Sequence, residues 1–254
     1  MAITIKSERE IELMAEAGKI LERVHNELEK ALHPGMSTKD IDTLGEEIIR
    51  SYGCIPSFLN YNGYPASICV SVNQEVVHGI PDKHRIIHEG DIVSLDAGVI
   101  YKGYHSDAAR THAVGEVSEE AQKLIQVTKE CFFEGIKYAK AGNHLFDISG
   151  AIGRYAEERG YGVVRDLCGH GIGTALHEAP EIPNYEVGRK GVKLRPGMTL
   201  AIEPMINIGT YEVDWLDDDW TVVTRDGSLS AHYENTILIT EGEPRILSLT
   251  CDNE

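Results

Sequence analysis

A displacement of 107 positions constrains this chain more than any other feature. The segment "GMSTKDI" (35–41) matches "GNHLFDI" (142–148), and Gly35, Asp40, Ile41 and Gly53 fall on Gly142, Asp147, Ile148 and Gly160. The same offset carries "EGDIVSLDAG" (89–98) onto "PGMTLAIEPM" (196–205), so Gly90 falls on Gly197 and Asp96 on Glu203. Helical spacers and carboxylate-ending strands that recur without a gap read as a duplicated helix–helix–strand unit. Chance agreement among helix-stop glycines is the alternative, and the Asp96/Glu203 coincidence weighs against it. The repeat predicts an α/β (α+β) chain forming a single domain over 1–254, with related halves at about 1–115 and 116–254. It also predicts that Asp96 and Glu203 lie close together across a shared pseudo-twofold axis.

Local signals fill in the unit. Ser7 and Glu10 form a capping box, and Ile11, Met14, Ile20, Leu21, Val24 and Leu28 mark one helical face. A second helix runs from near Ser37 to Gly53, a third from about Ser118 to Ala141, and a fourth from Asp147 to Arg159. The stretch "DIVSLDAGVIYKGYHSDAART" alternates like two strands around a Lys102-Gly103 turn. A hairpin closing at about Tyr101 to Gly103 sets Asp96 opposite Asp107, to within a residue. Directly opposed Cβ atoms lie roughly 4.5–5.5 Å apart. Two like charges so placed, among Val93, Leu95, Val99 and Ile100, need a raised pKa or a cation. Solvated aspartates on an exposed hairpin are the plainer alternative.

Two more strand-like stretches carry glutamates: "TLAIEPMI" holds Glu203 and "SAHYENTILIT" holds Glu234. In "DLCGHGIGTALHEAP" (166–180), His170 sits among Gly169, Gly171 and Gly173, with His177 seven positions on. Glycine admits close backbone approach, although a glycine-rich turn with an incidental histidine reads about as well. Asp96, Asp107, His170, Glu203 and Glu234 together form an oxygen-rich set with one imidazole. Such donors suit manganese, iron, cobalt or zinc. Four carboxylates carry more charge than one divalent ion neutralises, so two ions, joined by bridging carboxylates, balance them.

Composition excludes some partners. The net charge of −17 argues against binding bulk nucleic acid or an anionic membrane, both of which need a basic face. There is no apolar run of membrane-spanning length, and "MAITIKSERE" has no apolar core like that of a signal peptide. Cys54, Cys69, Cys131, Cys168 and Cys251 are odd in number and form no C-x-x-C pair, which points to reduced thiols and a cytoplasmic setting. The acidic "DWLDDDW" (214–220) reads as a solvated loop.

The motifs "CGHGIG" with "HEAP", "DAGVIYKGYHSDAART", "IEPM", "VVHGIP" and "SAHYENTI" resemble type I methionine aminopeptidases from about Ile5 to Ile246. The resemblance implies the pita-bread fold, two pseudo-twofold-related halves around a curved antiparallel sheet. It also implies removal of N-terminal methionine, with a small second residue preferred. By the same resemblance two divalent ions (Co, Mn, Fe or Zn) are the cofactors. Asp96 would chelate one ion, Asp107 and Glu234 would bridge both, and His170 and Glu203 would complete the other. Glu203 would also shuttle the proton, and His177 would hydrogen-bond the scissile carbonyl. His78 would contact the amide nitrogen or substrate backbone. Tyr61, Tyr64, Cys69, Leu176 and Trp220 would form the methionine slot, although such residues are as often plain core. Phe58 stands where several relatives have a smaller residue. The glycines around His170 would let the chain pass close to a crowded metal centre. The implied partner is a peptide or nascent-chain N-terminus, acted on by a monomer with no membrane or stable nucleic-acid contact; a transient ribosome contact is left open.

Other readings share the fold. Proline-specific peptidases usually carry a large preceding domain, whereas here the first catalytic helix starts near Ser7. Creatine-hydrolysing relatives lack the metal ligands. Type II enzymes carry a long insertion between the last two glutamates, where this chain has only 30 residues between Glu203 and Glu234. A non-catalytic binding protein on this fold would have lost ligands and gained basic surface.

Overall fold

The computed structural model describes residues 3–249; Cys251 lies outside them. Four helices, Glu8–Ala31 (α1), Thr38–Ser51 (α2), Glu119–Ile136 (α3) and Leu145–Glu157 (α4), alternate with short and long strands. The first half contributes Ile55–Pro56 (β1), Ile68–Val72 (β2), Glu75–Val77 (β3), Ile92–Tyr101 (β4) and Tyr104–Ala113 (β5). The second contributes Gly162–Val163 (β6), Gly169–Gly171 (β7), Glu178–Ile182 (β8), Thr199–Ile202 (β9), Met205–Asn207 (β10), Val213–Trp215 (β11), Val222–Thr224 (β12), Ser230–His232 (β13), Glu234–Leu238 (β14) and Arg245–Ile246 (β15). The main antiparallel sheet runs β1-β4-β5-β14-β9-β7-β8, with β2 also on β4 and β15 on β14. Among the described residues no helix is long and apolar enough to cross a membrane.

Strand periodicity separates the two faces of this sheet. Val93, Leu95, Ala97 and Val99 of β4 pack with Leu21, Val24, Leu28, Ile41 and Ile49 of α1 and α2. Leu200, Ile202 and Ile237 pack with Leu124, Phe132, Ile148 and Ile152 of α3 and α4. The helices therefore cover one face of each half. Asp96, Glu203 and Glu234 alternate onto the other.

The offset of 107 recurs as hydrogen bonding. The Gly35 N–H donates to Ile87 O and the Gly142 N–H to Leu194 O. Asp40 caps the Ser37 N–H at 2.8 Å, and Asp147 caps the His144 N–H at 2.8 Å. Two isolated bridges, Ser37↔Ile86 and His144↔Lys193, keep the same spacing. These contacts keep the 107-residue spacing seen in the sequence. They also explain why α4 starts at Leu145 rather than at Asp147: Asp147 is the third helical residue, as Asp40 is in α2. The third helix stops at Ile136 rather than Ala141, because the chain tightens into i→i−3 turns at Tyr138 and Ala139.

The β4–β5 hairpin corrects one expectation. Its turn is the two-residue Lys102-Gly103, with φ of 49° and 87°, as a type I′ connection requires. Tyr101 therefore pairs with Tyr104, Asp96 faces Ala109, and Asp107 faces Gly98. The two aspartates are diagonal neighbours rather than directly opposed, a spacing of roughly 7–8 Å for such a pair.

A carboxylate centre beside an aromatic cavity

Register assembles the centre. Across three strands, Asp96 of β4 faces Ala109 of β5, which faces Glu234 of β14. Paired residues of an antiparallel sheet share a face, and Asp107 joins them two residues from Ala109. Thr236 pairs with Ala201, and Ala201 with His170, so Glu203 and His170 reach the same face from β9 and β7. Gly98, opposite Asp107, admits Ser57 and Phe58: a Cβ there would lie 2.7 Å from Ser57 Cβ and 2.9 Å from the Phe58 ring. Where β5 meets β14 the ladder holds only two pairs, and side chains extend it. The Asp107 N–H donates to Thr236 Oγ1, which donates back to Asp107 O, both at 3.0 Å. Arg110 donates to the backbone oxygens of Ala109 and Glu234.

Ligand atoms of Asp107, His170 and Glu234 all lie within 4.8 Å of one another. His170 Nε2 stands 3.8 Å from Asp107 Oδ2 and 3.6 Å from Glu203 Oε1. His170 Nδ1 sits 2.9 Å from Gly171 O. A carbonyl can only accept, so Nδ1 carries the proton and Nε2 offers its lone pair to the carboxylates. Burial pushes Asp96 up to about 7. It raises Asp107, Glu203 and Glu234 well above the carboxylate range; Asp96 adds to the rise at Asp107, and Asp107 to the rises at Glu203 and Glu234. His170 is held down at about 3 by burial and then by His177.

Asp96 Oδ1, Asp107 Oδ1 and Glu234 Oε1 are buried with no hydrogen-bond partner. Among the described residues, the ion-pair contacts of this cluster are with His170 alone. Buried carboxylates without donors are costly unless protonated or facing a cation. Orphaned oxygens beside an imidazole lone pair fit divalent metal ions, which would invert the upward pKa shifts.

One cavity of about 130 Å³ adjoins the cluster. It is lined by all five of these residues, by His78 and His177, and by Tyr61, Tyr64, Cys69, Leu176 and Trp220. The structure thus brings every site residue expected from the sequence to one place. Phe58 also lines the cavity, as does Asn62, which sequence reasoning missed. Its one signal was the Asn62-Gly63 turn pair, and Asn62 adopts φ of 50°. Tyr64 meets Trp220 edge-on at 5.1 Å and donates to Gly79 O at 2.9 Å. His78 holds φ of 59°, unusual outside glycine, and burial lowers it to about 4. His177 meets His170 edge-on at 4.2 Å, and its Nδ1 lies 2.8 Å from Tyr61 Oη.

Two of the glycines around His170, Gly169 and Gly171, chiefly admit the backbone of neighbouring strands. A Cβ on Gly169 would lie 2.4 Å from Ala201 O, and one on Gly171 2.2 Å from Ala179 O.

The sequence profile of metallopeptidase family M24 matches residues 12–241. The methionine aminopeptidase of Clostridium acetobutylicum is 59% identical over 247 residues, covering 97% of this chain and 99% of that protein. The crystal structure of the Thermotoga maritima methionine aminopeptidase superposes with a TM-score of 0.96 at 47% identity, over 98% of this chain and all of that one. A Xaa-Pro dipeptidase from Bacillus anthracis superposes at 0.77 with 27% identity, over 97% of this chain but only 62% of that one.

Proposed function

The chain belongs to metallopeptidase family M24 and, within it, to the methionine aminopeptidases; from that premise we propose that it removes N-terminal methionine from peptides and nascent proteins with two divalent ions, preferring a small second residue. One observation carries the reading: three buried carboxylates, the nearly buried Glu203 and one imidazole converge on a single sheet face beside an aromatic-walled cavity. Asp96 would hold one ion, Asp107 and Glu234 both, and His170 with Glu203 the other. Cobalt, manganese, iron and zinc all suit these donors. Bound there, divalent ions would supply Lewis-acid polarisation and lower the pKa of water.

The chain's own groups do the rest. The Glu203 carboxylate takes a proton from the attacking water and returns it to the leaving amine. His177 donates to the scissile carbonyl oxygen as negative charge develops, and His78 contacts the substrate backbone. Tyr61, Tyr64, Cys69, Leu176 and Trp220 wall the slot for an unbranched thioether, and Phe58 narrows it. Free thiols at Cys54, Cys69, Cys131 and Cys168 support a cytoplasmic setting, and we read the chain as a monomer.

Metal analysis and peptide assays on one preparation test this reading. Two ions per chain are expected, with Met-Ala-Ser cleaved, N-acetyl-Met-Ala-Ser untouched and Met-Lys-Ser slow. Equal cleavage of the acetylated peptide would remove the free α-amino group from recognition. Rapid cleavage of Xaa-Pro peptides, whatever the first residue, would transfer the function to the proline-specific class.

A further inference from the structure

Two imidazoles stand edge to face here, with ring centroids 4.2 Å apart, and the proposed chemistry asks opposite things of them. His170 must offer a lone pair at Nε2. His177 must present an N–H there. A neutral imidazole has one donor and one acceptor nitrogen, and its partners decide which is which. For His170 the partner is Gly171 O, which accepts at 2.9 Å and fixes the proton on Nδ1.

For His177 the partner is a hydroxyl, which can donate or accept. Tyr61 Oη lies 2.8 Å from His177 Nδ1. The Asn62 side chain and the backbone N–H of His177 also lie near this oxygen and favour electron density on it. A phenol oxygen has two acceptor sites and one proton. The phenol oxygen's lone pair is delocalised into the ring, which makes the hydroxyl a better donor than acceptor, and an imidazole nitrogen accepts well, so at 2.8 Å the proton goes to His177 Nδ1. The ring of Tyr61 meets the imidazole edge-on, with centroids 5.1 Å apart.

We propose that Tyr61 is the positioning residue for His177: its hydroxyl donates to Nδ1 and thereby holds His177 in the Nε2–H tautomer that can donate to a developing oxyanion. Tyr61 thus has a second task beyond walling the methionine slot. The Asn62 side chain, close to the phenol oxygen, acts through it. The fold sets neighbouring histidines in opposite tautomers, one as ligand and one as donor. This inference rests on the oxyanion role proposed for His177.

Nuclear magnetic resonance on zinc-loaded protein labelled with ¹⁵N at histidine reads the tautomers directly, because zinc is diamagnetic. The wild-type protein at pH 8 is expected to show His177 protonated at Nε2 and His170 at Nδ1. In Tyr61→Phe the ring remains, so KM for Met-Ala-Ser and zinc content should hold. The His177 signals should become those of a tautomer mixture, and kcat should fall about tenfold, a modest share of what a lost oxyanion donor costs. Asn62→Leu should move the same signals in the same direction by less. A wild-type His177 protonated at Nδ1, or a Tyr61→Phe protein with unchanged tautomer and kcat, would overturn the proposal. The expected tautomers in a protein unable to cleave Met-Ala-Ser would sink the functional reading instead.

Discussion

At the scale of single residues, adjacent side chains of one type receive different work from their surroundings. His170 is buried and His177 is more exposed, yet both are lowered in pKa, chiefly by desolvation, so both are neutral near pH 7. His170 points its Nε2 at Asp107 and Glu203, whereas His177 turns its Nδ1 to Tyr61. Among the described residues, no hydrogen bond or ion pair joins His177 to Asp96, Asp107 or Glu234. The His177→Ala protein is therefore expected to keep wild-type metal content while kcat falls on the order of 10²-fold, as for loss of an oxyanion donor. Elemental analysis with steady-state kinetics checks this, and loss of metal would mean that the roles of the two histidines are exchanged.

Elements place those residues through close backbone contact. The short strand β7 lies between β8 and β9, and its glycines let both neighbours in. A Cβ at Gly171 would stand 2.2 Å from Ala179 O, a backbone atom that no side-chain rotation moves aside. Strand β7 must then shift and carry His170 with it. Forced overpacking typically costs about 1–3 kcal/mol. Gly171→Ala is expected to lower the thermal midpoint and weaken metal binding at least tenfold by calorimetric titration, although the substitution touches no ligand. Wild-type metal affinity in a folded Gly171→Ala protein would show that β7 does not set the position of His170.

On the scale of the whole molecule, the buried imidazoles make stability depend on pH. Burial holds His25 well below its ordinary value, with Arg110 and His112 adding to the effect, and lowers His78 to about 4. Around the cavity that His25 lines, the titratable and charged groups are Glu22 and Glu29 on its own helix, Arg110 and His112 on β5, Lys129 on α3 and His232 on β13. An unfolded imidazole takes up a proton below about 6.5; these folded ones do not. The unfolded state then binds more protons, so stability falls as pH drops from about 6.5, by ~1.4 kcal/mol per unit for each such group. For His78 the loss levels off below about 4. His25→Gln should lose less stability than wild type between pH 7 and pH 5 in denaturant titrations, and an identical loss would show that His25 does not titrate on unfolding. The five candidate site residues, the Ser7/Glu10 capping box, the Lys102-Gly103 turn and the 107-residue offset were legible in the sequence, because caps, turns and alternation are local, whereas the His144/Asp147 cap, and with it the start of α4, was not. The register that faces Asp96 with Ala109 and not with Asp107 was decided by the turn's backbone geometry. The seam joining Asp107 to Glu234 through Thr236, and the tautomers set by Gly171 and Tyr61, arise only in the tertiary structure. Period-two alternation assigns a residue to a face, but which residue stands beside it depends on chain segments more than a hundred positions away.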